Sequence, residues 1–156
     1  MVASPVSGKA GAVRVQRLGG VALAAAEAHA LRRDRNGKAR SKFSAAAVTS
    51  TGLAINELYA RHVQGCLVQK SRTKALHLVF QFPKDLVDGE DAAHMLKHAR
   101  SFAEQVFGSE AIFHDRVDRD EQSRHVVDIM VAPRYQKVTK KKSQRAITTS
   151  KHLKEL

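Results

Sequence analysis

An α+β domain is predicted, an antiparallel sheet with helices on one face and the other face left open. Three observations lead there. Segments of period two alternate with segments of helical period in the order β-α-α-β-α-β-β. The last two strand-like segments are separated by a short polar turn, so they pair as an antiparallel hairpin, since a parallel pair would need a long crossover. The strands also carry polar residues on one side, Arg14, Gln16, His77 and Gln81, which belong against solvent or a ligand.

Taken in order, residues 12–18 alternate Val13 and Val15 with Arg14 and Gln16, and Gly19-Gly20 ends that strand. From Val21 to Arg33 alanines dominate without a breaker, which predicts a helix bearing His29 and Arg32 on one face near its end. Asp34-Arg-Asn-Gly37 reads as a turn, opening a long basic loop over 34–51. A second helix is expected from Leu53 to Val68, covering the same sheet face as the first. Ala75–Phe82 is the plainest strand, with Leu76, Leu78, Phe80 and Phe82 opposite His77, Val79 and Gln81, and Pro83 closes it. Ala92, Leu96, Ala99, Ala103 and Val106 recur at helical spacing, and Gly108 supplies the stop. Two strands follow near 111–118 and 125–132. Thr149–Leu156 reads as the opening of a helix capped by Ser150. The organisation expected is a flexible N-terminus over 1–11, one domain over 12–133, and a basic segment over 134–156 that continues past Leu156.

The 156 residues suit one domain, 43% hydrophobic content allows a core, and no apolar run reaches the length of a membrane span. A lone cysteine, Cys66, forms no internal disulfide and residues 1–10 lack a secretory apolar block, so a cytoplasmic setting is expected. The net charge of +12 is concentrated in Arg32, Arg33, Arg35, Lys38, Arg40 and Lys42 and again in Lys137, Lys140, Lys141, Lys142 and Arg145. Such clusters favour a polyanion, with a merely solvated basic surface as the plain alternative.

Against that background Asp118, Asp120, Glu121, His125 and Asp128 crowd into eleven positions. Carboxylate oxygens with one imidazole suit a divalent cation, Mg²⁺ or Mn²⁺ before Zn²⁺, and such a cation polarises phosphoryl oxygens. The competing reading is a solvated turn whose carboxylates pair with Arg116, Arg119 and Arg124.

Four pieces, in this order, resemble the Mob/Pre plasmid mobilisation relaxases, the MobV class of HUH endonucleases. Arg14-Val-Gln-Arg17 followed by glycines is similar to that family's opening strand. His29-Ala-Leu-Arg32 resembles its His-Asn-x-Arg. Val106-Phe-Gly-Ser-Glu-Ala-Ile112 resembles the stretch before its metal strand, and Asp118-Arg-Asp-Glu-Gln-Ser-Arg-His125 is similar to its His-x-Asp-Glu-x-x-Pro-His. The resemblance spans residues 12–133, with an echo in Ile147-Thr-Thr-Ser-Lys-His-Leu153.

It implies a metal-dependent, site- and strand-specific nicking and strand-transfer activity at a plasmid transfer origin, through a covalent protein–DNA intermediate. His29 matches the nucleophile, with Tyr59 and Tyr135 as alternatives; Arg32 would steady the phosphate and Glu121 orient a ligand or accept a proton. The family's three metal histidines fall on Asp118, His125 and Val127, so one becomes a carboxylate and one is lost. Asp128 is the evident replacement, although strand alternation points it away from His125 unless a bulge intervenes. DNA contacts are expected from Arg14, Gln16, Arg33, Arg35, Arg40 and Lys42, extended by Lys140, Lys141 and Lys142. The implied partners are origin DNA, single-stranded or folded as a hairpin, and other transfer proteins, with no membrane segment in the chain. Two rivals stay open: a DNA-binding module of this fold without chemistry, and a basic RNA-binding α+β protein.

Overall fold

Along the chain run β1 (Ala12–Leu18), α1 (Gly20–Ala30), α2 (Arg35–Arg40), α3 (Ile55–His62), β2 (Ala75–Gln81), α4 (Glu90–Phe107), β3 (Ile112–Val117), β4 (Val126–Val131), β5 (Arg134–Val138) and β6 (Ser143–Ile147). The computed structural model describes residues 12–40, 46–68, 70, 72–83, 90–119 and 125–150, with the backbone alone of Arg40 and Glu90. β1, β2, β4 and β3 lie in that order in one antiparallel sheet, and β5 and β6 form a second.

One face of the larger sheet is the apolar set predicted for β2 together with its neighbours on β4: Leu76, Leu78, Phe80, Val127, Ile129 and Val131. α4 covers it with Ala92, Met95, Leu96, Ala99, Ala103 and Phe107, a single stripe in which three alanines let the helix approach the strands closely. Leu78 and Ile129 are wholly buried there, and truncating either to alanine is worth roughly 2–5 kcal/mol.

The opposite face is divided. At one end α1 and α3 share it, together as expected but on the face opposite α4, so helices lie on both faces of the sheet rather than one; they bury Leu23, Ala30 and Ile55 against Ala75, Phe113 and Met130. Beyond it strand register sets two rows across this face: Gln16, His77, Met130 and His114, of which the last two are buried at the edge of the helix-covered end, then Arg14, Val79, Asp128 and Arg116 beside the open part. A bulge between Ile112 and His114 sets that last column. One extra residue reverses which way every following side chain points, so His114 and Arg116 reach the open face while Asp115 turns under α4.

Several boundaries differ from the sequence reading, some through local capping and some through tertiary bonds. α1 ends at Ala30 rather than Arg33. The expected loop after it contains α2, and its later part reaches β3, where Val48 and Val117 exchange backbone hydrogen bonds of 3.0 and 2.8 Å that cover the sheet edge. α3 stops at His62, not Val68: Arg134 donates to the His62 carbonyl (2.6 Å), Gly65 turns left-handed (φ 77°), and Leu67 is captured by Arg145 and Ile147 of β6. The basic stretch past Pro133 forms the β5–β6 hairpin, and Ile147 joins the core beneath α1 and α3. The helix anticipated over Thr149–Leu156 lies, from residue 151, outside the described residues, as does the N-terminus.

Candidate active site

A cavity of about 570 Å³ opens on the uncovered part of the sheet. It is lined by Ala12, Val13, Arg14, Gln16, His29, His77, Val79, Gln81, Arg116, Asp118, Val126 and Asp128. His29 from the first helix and the carboxylates Asp118 and Asp128 of the β3–β4 hairpin therefore meet across one surface.

His29 is placed by the way α1 ends. Arg33 N donates to the Ala28 carbonyl (2.7 Å) and Arg32 N to that of His29 (3.0 Å), the paired bonds of a Schellman motif. The left-handed residue this motif requires is usually glycine; here it is Arg32 (φ 56°), a conformation costing about 1 kcal/mol. The turn folds Arg32 back, so its Nη1 sits 3.3 Å from His29 Nε2 and 3.2 Å from the His29 carbonyl, while Nη2 lies 3.6 Å from Asp118 Oδ1. On the other side of the ring His29 Nδ1 is 3.5 Å from Asp34 Oδ2. The second oxygen of Asp34 accepts from Gly37 N (2.8 Å), capping α2. A Cβ at Gly37 would run into both Asp34 Oδ1 and the His29 carbonyl, so glycine is required for this turn to sit beside His29. The network assigns the proton to Nδ1 and leaves Nε2 as the basic nitrogen facing Arg32.

The carboxylates surround an arginine. Arg116 Nε donates to Asp118 Oδ2 (3.2 Å), its Nη2 lies 3.6 Å from Asp128 Oδ2, and Nη1 donates to His114 Nε2 (3.2 Å). His77 Nε2 donates to Asp128 Oδ1 at 2.7 Å. Burial works to raise the Asp128 carboxyl, but the His77 hydrogen bond and the Arg116 charge outweigh it and hold the group at about 2. Burial and the adjacent guanidinium push His114 down to about 4, so it is neutral, accepting from Arg116 at Nε2 and donating from Nδ1 to the Gly52 carbonyl (3.1 Å).

A pH effect follows from His114. The unfolded chain takes a proton on this residue near its ordinary value, whereas the folded protein refuses it until about pH 4. The associated stability, on the order of 3 kcal/mol, is complete above about pH 6.5 and lost as pH falls toward 4. Urea unfolding should show this decline, and His114→Gln should flatten it; an equally steep decline in the variant would refute the assignment.

Among the described residues the donors do not fit a divalent metal. Among the described residues no three His, Cys, Asp or Glu side chains are gathered to hold one, and the space between Asp118 and Asp128 is bridged by Arg116. His125 is not among the residues lining the cavity; its carbonyl accepts from Phe82 N (2.8 Å), and the bulge lies in β3, where it does nothing to turn His125 toward Asp128. Val127, at the lost histidine position, is core. Asp120, Glu121 and Lys42 lie outside the described residues, as does the Arg40 side chain.

Of the other expected contacts, Arg14 and Gln16 line the cavity, Arg33 and Arg35 are exposed beside α2, and Lys140–Lys142 form the exposed end of the β5–β6 hairpin. Tyr59 packs edge-on against Phe113 in the core under α3, and Tyr135 lies on β5; neither lines the cavity. No sequence motif singles out His77 or His114, and Arg116 enters the sequence analysis only as a carboxylate partner. The alternation of β2 did place His77 on the polar side, but its partner Asp128 is 51 residues away.

No family model and no curated protein matches the chain. Solved structures do. A MobM relaxase domain (MOBV; Mob_Pre) bound to plasmid pMV158 oriT DNA, in an Mn-bound crystal structure at pH 5.5, superposes with a TM-score of 0.64 at 16% identity, over 84% of this chain and 74% of that one. The same domain at pH 4.6 gives 0.62 at 16% identity, over 84% and 75%. With a 3′-thiophosphate strand at pH 6.8 it gives 0.59 at 15%, over 84% and 74%. No helix among the described residues is long and apolar enough to cross a membrane. The four-stranded antiparallel sheet, its helices and its open face are thus the fold of the MobM relaxase domain, in agreement with the resemblance carried by the four sequence pieces.

Proposed function

We propose that this chain nicks one DNA strand at a plasmid transfer origin and transfers it through a covalent protein–DNA intermediate, with His29 as nucleophile. The single observation carrying this reading is that His29 opens onto the same cavity as Arg14, Arg116 and Asp118, on the open face of a relaxase fold. His29 Nε2 attacks the scissile phosphorus; a P–N bond forms as the P–O bond breaks, and the departing strand end leaves as a hydroxyl that takes its proton from solvent. Attack by a hydroxyl reverses the step and rejoins DNA. Asp34 steadies the charge that develops on the imidazole through Nδ1–H, and Arg32, already against Nε2, moves onto the phosphate oxygens. Glu121 keeps its proposed part in orienting a ligand or accepting a proton.

The likeness to Mn-bound relaxases would bring a divalent cation, Mg²⁺ or Mn²⁺, through Asp118, His125 and Asp128. Because the donors do not fit, no step above uses one. Single-stranded or hairpin origin DNA, other transfer proteins and a cytoplasmic setting are the proposed context.

Arg14, Gln16, Arg33, Arg35, Arg40 and Lys42 are proposed to hold the strand, with Lys140, Lys141 and Lys142 extending the track. Replacing those three lysines by alanine should weaken binding to all sequences alike and flatten the log K against log salt slope by about 1 for each phosphate no longer neutralised. An unchanged slope in fluorescence anisotropy removes them from the interface.

A DNA-binding module without chemistry is the second reading, favoured by the ungathered metal donors. Supercoiled plasmid carrying the cognate origin separates the two. Relaxation that disappears in His29→Ala supports the enzyme, and binding without relaxation supports the module. Equal competition by structured RNA would favour an RNA-binding protein.

A further inference from the structure

We infer that Arg116 is the built-in cation of this cavity: its guanidinium, held between Asp118 and Asp128, takes the place of a divalent metal and meets the DNA phosphate itself. This deepens the reading of the cavity as a phosphodiester site and rests on it for the phosphate contact.

Three side chains fix the guanidinium from different directions. Asp118 Oδ2 accepts from Nε (3.2 Å), Asp128 Oδ2 lies 3.6 Å from Nη2, and His114 Nε2 accepts from Nη1 (3.2 Å). The Arg116 side chain is only 4% exposed, so it is packed in position rather than swinging in from solvent, yet it borders the cavity. Charge balance argues the same way. Asp118 faces two guanidiniums, those of Arg116 and Arg32, and Asp128 is held by Arg116 and by the His77 hydrogen bond. Among the described residues the pocket therefore has little negative charge left to attract a dication, and a dication placed between Asp118 and Asp128 would be repelled by Arg116. A planar guanidinium donates to phosphate oxygens directly and stabilises charge developing on them, without giving up water ligands as a metal must.

Titration of the full chain with Mn²⁺, followed by the paramagnetic resonance of the free ion and by Tm, tests this. The wild type should retain no bound ion and show no Tm shift. Arg116→Met, which uncovers Asp118, Asp128 and His114, should gain one Mn²⁺ and a rise in Tm; should it fail to fold, the wild-type titration alone decides. One Mn²⁺ bound by the wild type and absent from Asp128→Asn overturns the inference. Nicking, if present, should survive a chelator, and loss of nicking on chelation overturns it as well. A chain that neither nicks nor binds Mn²⁺ defeats the strand-transfer reading while leaving Arg116 as the cation of the site.

Discussion

His29→Ala is expected to lower the nicking rate about a thousandfold or more while changing DNA affinity by no more than about twofold. The asymmetry comes from what the residue touches. Its side chain is 23% exposed, faces the cavity from α1, and is positioned by Asp34 at Nδ1 and Arg32 at Nε2. None of these groups depends on the imidazole for the fold, since Asp34 also caps α2 through Gly37 and Arg32 also bonds the His29 backbone carbonyl. Affinity arises mainly from the basic residues around the cavity, which remain. A covalent protein–DNA adduct, visible as a gel shift that survives denaturation, should vanish with the imidazole. Asp34→Asn and Arg32→Ala should each give smaller losses, because they position the ring and the phosphate without forming the bond. Nicking by His29→Ala at the parental rate would transfer the chemistry elsewhere, with Tyr135 next to be tested. No loss of binding should accompany any of the three beyond the one charge removed at Arg32.

Asp115→Ala is expected to cost about 3 kcal/mol, lowering Tm by roughly 6–12 °C. The bulge in β3 turns this carboxylate away from the open face and buries it fully. There it accepts from Ser50 N (2.7 Å), the Ser50 hydroxyl, Thr49 Oγ1 (3.2 Å) and Arg100 Nη1 (2.6 Å). One residue thus joins β3, α4 and the segment leading into α3. Removing it deprives the Ser50 N–H and the Arg100 guanidinium of their shared acceptor. The figure sits at the low end of the range for breaking a buried pair because the Arg100 side chain is 30% exposed and can regain water. Asp115→Asn should recover part of the loss through its remaining acceptor. The effect should also reach the cavity: the Gly52 carbonyl in the anchored segment accepts from His114, which in turn braces Arg116. Urea denaturation checks the stability, and a coupling energy from the Asp115→Ala, Arg100→Ala cycle checks the pair. A cost below about 1 kcal/mol would mean the segment is held by Val48, Thr49, Thr51 and Gly52 without the Asp115 carboxylate.

Local pattern made much of this molecule legible. Alternation in β2 separated Leu76, Leu78 and Phe80 from His77 and Gln81, and the structure keeps that separation, with the first set under α4 and the second facing the cavity. The helical stripe of α4 was equally plain because Ala92, Leu96, Ala99 and Ala103 all bury against one surface. What resisted reading was controlled by distant partners. α1 looked able to run to Arg33, yet its end is set by a left-handed Arg32 whose guanidinium finds His29 and Asp118, a choice that propensity disfavours. α3 had the composition to reach Val68, but β6 claims Leu67. The acidic run suggested a cation site because carboxylate spacing is visible in one dimension and an intervening guanidinium is not. Arg116 differs by two positions from Asp118 and by twelve from Asp128, and only strand pairing shows that it lies between them.

The sequence by itself determined the α+β order, the apolar face of the sheet, the clustered basic charge and His29 as the residue to examine, because periodicity, charge and motif are properties of neighbours along the chain. The tertiary structure alone decided that His29, Arg116, Asp118 and Asp128 share a cavity, that His125 does not join them, and that Asp115 is a buried anchor. Those outcomes turn on a one-residue bulge and on side-chain contacts between segments far apart in sequence. A shift of one position in a strand exchanges core for ligand face, and no local preference records which of the two the chain will adopt.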